Sequence, residues 1–171
     1  MDNISPKLSD DDLNKVNEFS RQFYEKIINR HPEWDKYAMV ESCQGKSVVT
    51  IKIPPPIEGV FSIEIIPDVD DDEELTIYFG PAHFHMGIYL SREKKTLFDQ
   101  LNGIEKIAYK IFNEELVAVQ KKPGHFGFVA EGLLSPEDYN ELLEKGELRR
   151  AVSWKGTYNY PKDGTHANWG P

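Results

Sequence analysis

The stretch Phe61-Ser62-Ile63-Glu64-Ile65-Ile66-Pro67, followed after an acidic run by Leu75-Thr76-Ile77-Tyr78-Phe79-Gly80-Pro81-Ala82-His83-Phe84-His85, decides the fold. Apolar and polar residues alternate in both halves. Phe61, Ile63 and Ile65 oppose Ser62 and Glu64, and Leu75, Ile77 and Phe79 oppose Thr76 and Tyr78. A period of two puts one set on a buried face, so the halves are predicted to pair as an antiparallel hairpin around residues 67–74. Upstream, Val49, Ile51 and Ile53 alternate with Thr50 and Lys52 until Pro54-Pro55-Pro56 removes the ladder donors. One buried and one wet face is the pattern of an antiparallel sheet covered on a single side.

Helical periods flank these strands. Ser9 with Asp12 three residues on is a capping-box variant, and Leu13, Val16, Phe19, Phe23 and Ile27 then predict one helix ending near His31-Pro32. Trp34, Tyr37 and Met39 follow in a loop or a short first strand. A second helix starts at Thr96, with Asp99 as its capping partner, and carries Leu97, Leu101, Ile104, Ala108 and Ile111 on one face. Residues 116–120 and 126–130 read as strands joined through a type II turn at Pro123-Gly124. Ser135-Pro136 opens a third helix with Tyr139, Leu142 and Leu143 inward, and residues 148–154 read as a last strand. The expectation is one α+β domain over residues 1–171, with an antiparallel-dominated sheet of about five to six strands and three helices packed on it. Residues 1–8 and 161–171 are expected to be irregular.

The charge is lopsided. Residues 1–80 hold 8 Lys and Arg against 17 Asp and Glu, whereas residues 81–171 hold 12 of each, so the whole net charge of −9 belongs to the first part. Adjacent basic residues occur only as the isolated pairs Lys94-Lys95, Lys121-Lys122 and Arg149-Arg150. Phosphate neutralisation needs a basic stripe, so direct nucleic-acid binding is not expected, whereas a basic protein partner suits this field. The apolar runs are strand-sized and fall short of the ~20 residues that cross a bilayer, so no membrane partner is expected. A single Cys43 forms no internal disulfide, and the opening MDNISPKLSDDD has neither a basic nor an apolar leader region, which predicts a cytoplasmic protein.

Three segments carry candidate chemistry. His83 and His85, one residue apart at the end of a strand, point to one face and are the candidate metal ligands of a small metal-dependent enzyme or sensor. The third ligand such a site needs is sought in Asp99, His125, Glu131 or His166, none at a recognisable spacing. The bland alternative is a pair of polar residues closing a strand. The acidic run Asp68-Val69-Asp70-Asp71-Asp72-Glu73-Glu74 fails as a calcium loop, lacking the glycine at the sharp turn and the bidentate Glu at its far end. It is either a solvated hairpin tip or a projection into a basic cleft. The third segment, Trp154-Lys155-Gly156-Thr157-Tyr158, offers aromatic area suited to an interface or to edge packing.

Phe79-Gly80-Pro81-Ala82-His83-Phe84-His85, the helix after it, the strand at 116–120 and Ser153-Trp154-Lys155-Gly156-Thr157-Tyr158 together resemble small immunity proteins of bacterial polymorphic and contact-dependent toxin systems. The resemblance spans roughly residues 60–160. It implies a cytosolic, non-enzymatic, single-domain protein without a cofactor, which binds and blocks a cognate toxin domain, frequently a nuclease. On that reading Asp68, Asp70, Asp71, Asp72 and Glu73 steer the partner and Trp154 and Tyr158 anchor it.

Overall fold

The computed structural model describes residues 7–43, 45–68, 73–86, 95–120, 133–134, 136–147 and 149–161. The first helical segment is broken in two. Ser9 caps α1 (Asp10–Leu13) with a full capping box, and Asn17 then restarts the chain as α2 (Glu18–Arg30), its side chain accepting from the Ser20 N–H. The single helix expected from the apolar spacing is thus corrected, because Asn17 competes for the backbone as a second N-cap. Where a loop or a short first strand was expected around Trp34, Tyr37 and Met39, Pro32–Tyr37 forms a 3-10 helix and Met39 lies in the first strand.

Five strands follow as one antiparallel sheet in sequence order: β1 (Ala38–Cys43), β2 (Lys46–Ile53), β3 (Ile63–Pro67), β4 (Leu75–Phe79) and β5 (Ala82–His85). The hairpin expected around residues 67–74 forms, with Ile65 opposite Ile77 and Pro67 opposite Leu75. The histidines lie on a strand of their own. Phe79 pairs with Ala82, which leaves Gly80-Pro81 as a two-residue turn with φ +61 at the glycine. Positive φ at the first central position is what the type II′ hairpin turn requires, and glycine meets it without strain.

Val49, Ile51, Ile53, Ile63, Ile65, Leu75, Ile77 and Phe79 turn one face of this sheet into the core. Against it pack Phe23 and Ile27 of α2 and Leu101, Ile104, Ala108 and Ile111 of α3 (Leu97–Phe112), which begins at Thr96 with the expected capping box to Asp99. The C-terminal strands make a second antiparallel sheet, β7 (Leu133–Leu134), β6 (Val117–Gln120) and β8 (Arg150–Val152), rather than extending the first. Helix α4 (Pro136–Glu144) begins at the expected proline and sends Leu142 to a small satellite core with Val117, Val119 and Ala151. The turn at Pro123-Gly124 and the strand at 126–130 lie outside the described residues. The architecture is α+β and antiparallel.

Gly80→Ala tests the turn. An added Cβ would sit 2.2 Å from Phe61 Cδ2, on a backbone that L-residues seldom adopt. The expected cost is about 1–3 kcal/mol, read as a lowered denaturation midpoint with unchanged slope. A loss below about 0.5 kcal/mol would mean that the turn and the Phe61 ring shift freely.

Candidate functional site

Alternation along β4 fixes what the opposite face of the sheet displays. With Leu75, Ile77 and Phe79 inward, Thr76 and Tyr78 face away from the core, and the register sets His85 opposite Thr76 and His83 opposite Tyr78. Both histidines therefore share one face, as the extended chain predicts, with ring centroids 5.0 Å apart. His83 lies 5.0 Å from the Tyr78 ring. Burial first, and the adjacent His85 second, hold the His83 imidazole below its usual range, so it is neutral at pH 7. The Tyr78 hydroxyl is pushed up by burial and then by the acidic groups around it, Asp68 first among them.

The base of the acidic loop meets the histidine edge. Asp68 follows β3 and Glu74 precedes β4; the Asp68 N–H donates to the Glu74 carbonyl at 2.6 Å and closes the loop neck. The buried Gln100 side chain clamps the same neck from α3, accepting from the Leu75 N–H at 2.7 Å and donating to the Glu73 carbonyl at 2.9 Å. These bonds place a Glu74 oxygen 4.0 Å from His85 Nδ1, which also lies 2.9 Å from Thr76 Oγ1. Asp68, Glu74 and His85 each offer one ligand atom within 4.8 Å of the others, and all three are half-buried. They are the one such group of metal-ligating side chains among the described residues. His83 is not part of it. Asp99, a sequence candidate for a third ligand, is instead engaged in capping α3, 2.6 Å from Thr96 Oγ1. His125, Glu131 and His166 lie outside the described residues.

Beside the histidines, on the same side of the sheet, is a hollow of about 390 Å³ lined by Lys52, Phe61, Glu64, Ile66, Tyr78 and Gly80 among others. Lys52 Nζ and Glu64 Oε1 pair there at 2.6 Å, and the Glu64 bond raises the lysine pKa. A locked ion pair leaves this ammonium protonated, a poor nucleophile.

A second surface was not read from the sequence. Phe98 and Tyr109, 60% and 53% exposed, are the most exposed large hydrophobic side chains among the described residues. They lie on α3 with Asn102 and Glu105 between them, at spacings of four, three and four, which forms one stripe. The Arg30 guanidinium sits 4.8 Å over the Phe98 ring and bonds Asn102 and Glu105 at 3.0 and 3.1 Å. His31 stacks on Trp34 at 4.2 Å and reaches the same Glu105 oxygen at 3.1 Å. The signal was present: Phe98 and Tyr109 stand off the apolar stripe of Leu97, Leu101, Ile104, Ala108 and Ile111, where the helical period places solvent.

The residues expected to touch a partner are scattered. Asp68 is half-buried at the loop neck and Glu73 is exposed with φ +48, while Asp70, Asp71 and Asp72 lie outside the described residues. Trp154, expected to anchor a partner, is only 7% exposed and packs between Phe79 and Phe112, so its ring is part of the core. Tyr158 is half-buried against the satellite core. The Ser153 hydroxyl is fully buried and bonded to Glu114 at 2.6 Å, which accounts for it structurally. Among the described residues no helix is long and apolar enough to cross a membrane. Comparison with family models, with curated proteins and with solved structures yields no match.

Proposed function

We propose that this chain is an immunity-type inhibitor: a cytoplasmic binding protein, without enzymatic activity of its own, that blocks a cognate basic toxin domain. The observation that carries the reading is the Gln100 clamp, which ties the neck of the acidic loop to the first turn of α3, the turn that bears Phe98. Negative charge is thereby held beside the Phe98 end of an aromatic stripe that runs along α3 to Tyr109, with the part-exposed Arg30 lying over the Phe98 ring. Aromatic and arginine side chains supply most of the affinity in protein interfaces, and charge supplies encounter rate and partner choice. The anchors in this reading are Phe98, Tyr109 and Arg30, in place of Trp154.

The test is co-expression with candidate toxin domains, taken from the C-terminus of any large secreted protein found to be encoded in the same locus, scored by growth. The wild-type chain is expected to restore growth and to bind the purified domain directly. Phe98→Ala with Tyr109→Ala should raise the dissociation rate at least about thirtyfold, as loss of a ~2 kcal/mol hot spot would. Replacing Asp70, Asp71 and Asp72 with Asn should instead slow association and flatten its salt dependence. A toxin left fully active by the folded wild-type chain would refute the proposal.

A further inference from the structure

We infer that Asp68, Glu74 and His85 form a binding site for a divalent transition-metal ion of the zinc class, at the neck of the β3–β4 loop. The inference is independent of the inhibitor reading. It rests on convergence: two carboxylates and one imidazole, from the end of β3, the start of β4 and the end of β5, present ligand atoms within 4.8 Å of one another. Tetrahedral zinc with bonds of about 2.0–2.2 Å holds its ligand atoms about 3.4 Å apart, a closure of at most about 1.5 Å that side-chain rotation supplies. The donor set selects the ion. Calcium and magnesium take oxygen ligands, whereas an imidazole with two carboxylates suits zinc, and three protein ligands leave a fourth position for water.

The backbone around the ligands is held by groups that are not themselves ligands. Gln100, 3% exposed, bonds the residues on both sides of Glu74, and the Asp68 N–H bonds the carbonyl of Glu74 itself. His85 is fixed in the ladder opposite Thr76, and its Nδ1 edge faces both the Thr76 hydroxyl at 2.9 Å and the Glu74 carboxylate at 4.0 Å. A cation at that edge exchanges the Thr76 hydrogen bond for a metal bond. The surrounding hydrogen bonds thus fix the backbone from which both carboxylates project, which limits how far the ligands must be ordered on binding. His83 is separate from this set: its ring contacts Tyr78 and the His85 ring, and it contributes no ligand atom to the group.

The experiment is a zinc titration of the full chain, stripped with chelator and followed by competition against a chromophoric zinc indicator. One zinc per chain is expected. Glu74→Gln, Asp68→Asn and His85→Ala should each weaken binding tenfold or more, and His83→Ala by less than about threefold. The wild-type imidazole NMR signals give a second readout that needs no folded variant: zinc should shift the His85 resonances. Absence of stoichiometric zinc, full retention of affinity in Glu74→Gln, or an equal loss in His83→Ala would each overturn the assignment, the last by transferring the metal to the histidine pair.

Discussion

Trp154→Ala is expected to destabilise the protein by about 3–5 kcal/mol, the range for removing a large aromatic side chain from a core. The indole is 7% exposed, with ring centroids 6.1 Å from Phe79 and 5.1 Å from Phe112. Phe79 belongs to the five-stranded sheet, Phe112 ends α3, and Trp154 follows β8 of the three-stranded sheet. One side chain therefore joins three elements that no continuous ladder links. Deleting it leaves a cavity bounded by rigid rings that have no easy way to collapse, which argues for the upper part of the range. The midpoint in denaturant should fall with little change in slope, and the melting temperature should drop by roughly 10 °C for a chain of this size. Trp154→Phe should recover part of the loss. If the indole served a partner instead, Trp154→Ala would cost less than about 1 kcal/mol in the isolated protein, and that outcome would reverse the core assignment.

The same residue shows where the sequence stopped being legible. Period-two patterns specified β2, β3 and β4 and set His83 and His85 on a common face, because a strand whose alternate residues must be buried admits one register. Thr96 and Asp99 marked the start of α3 because a capping box is local chemistry. Long-range information was missing. Nothing near Trp154 in the chain says that Phe79 and Phe112 wait for it, so an aromatic in a glycine-containing turn reads equally as surface or core. The α1–α2 break was hidden for another reason: apolar spacing continues across residues 14–17, and only the competition from Asn17 interrupts the helix. The Asp68–Glu74–His85 convergence needed the β4–β5 hairpin turn at Gly80-Pro81, which folds His85 back beside residues nine and more positions earlier. The Gly-Pro signal for that turn was in the sequence, overshadowed by the histidines beside it.

Glu114→Gln is expected to cost about 1.5–3 kcal/mol at pH 7, the worth of hydrogen bonds made to a charged acceptor. Glu114 follows α3 with φ +58, a conformation that a side chain of this kind adopts only when its contacts hold it there. Its Oε1 accepts from Ser153 Oγ at 2.6 Å and from the Lys155 and Thr157 N–H groups at 2.8 and 3.2 Å. The Ser153 hydroxyl oxygen in turn accepts from the Tyr158 N–H at 3.0 Å, so one carboxylate organises the whole turn that carries Trp154. Burial pushes the Glu114 pKa up, but the bonds from Ser153, Thr157 and Lys155 together outweigh it and leave the carboxyl below its ordinary value. The sign follows from linkage. With the folded-state pKa lower than the unfolded one, the contribution is complete above the ordinary carboxylate pKa and is lost as pH falls through the depressed folded-state value. The stability difference between wild type and Glu114→Gln should therefore be greatest near neutrality and shrink below pH ~4. Denaturant titrations of both proteins between pH 7 and pH 3 measure it. Parallel stability curves across that window would mean that the turn is held by its backbone alone. Convergent curves would make Glu114 an acid-labile lock on the junction between the two sheets, since protonation loosens the segment that seats Trp154 between Phe79 and Phe112.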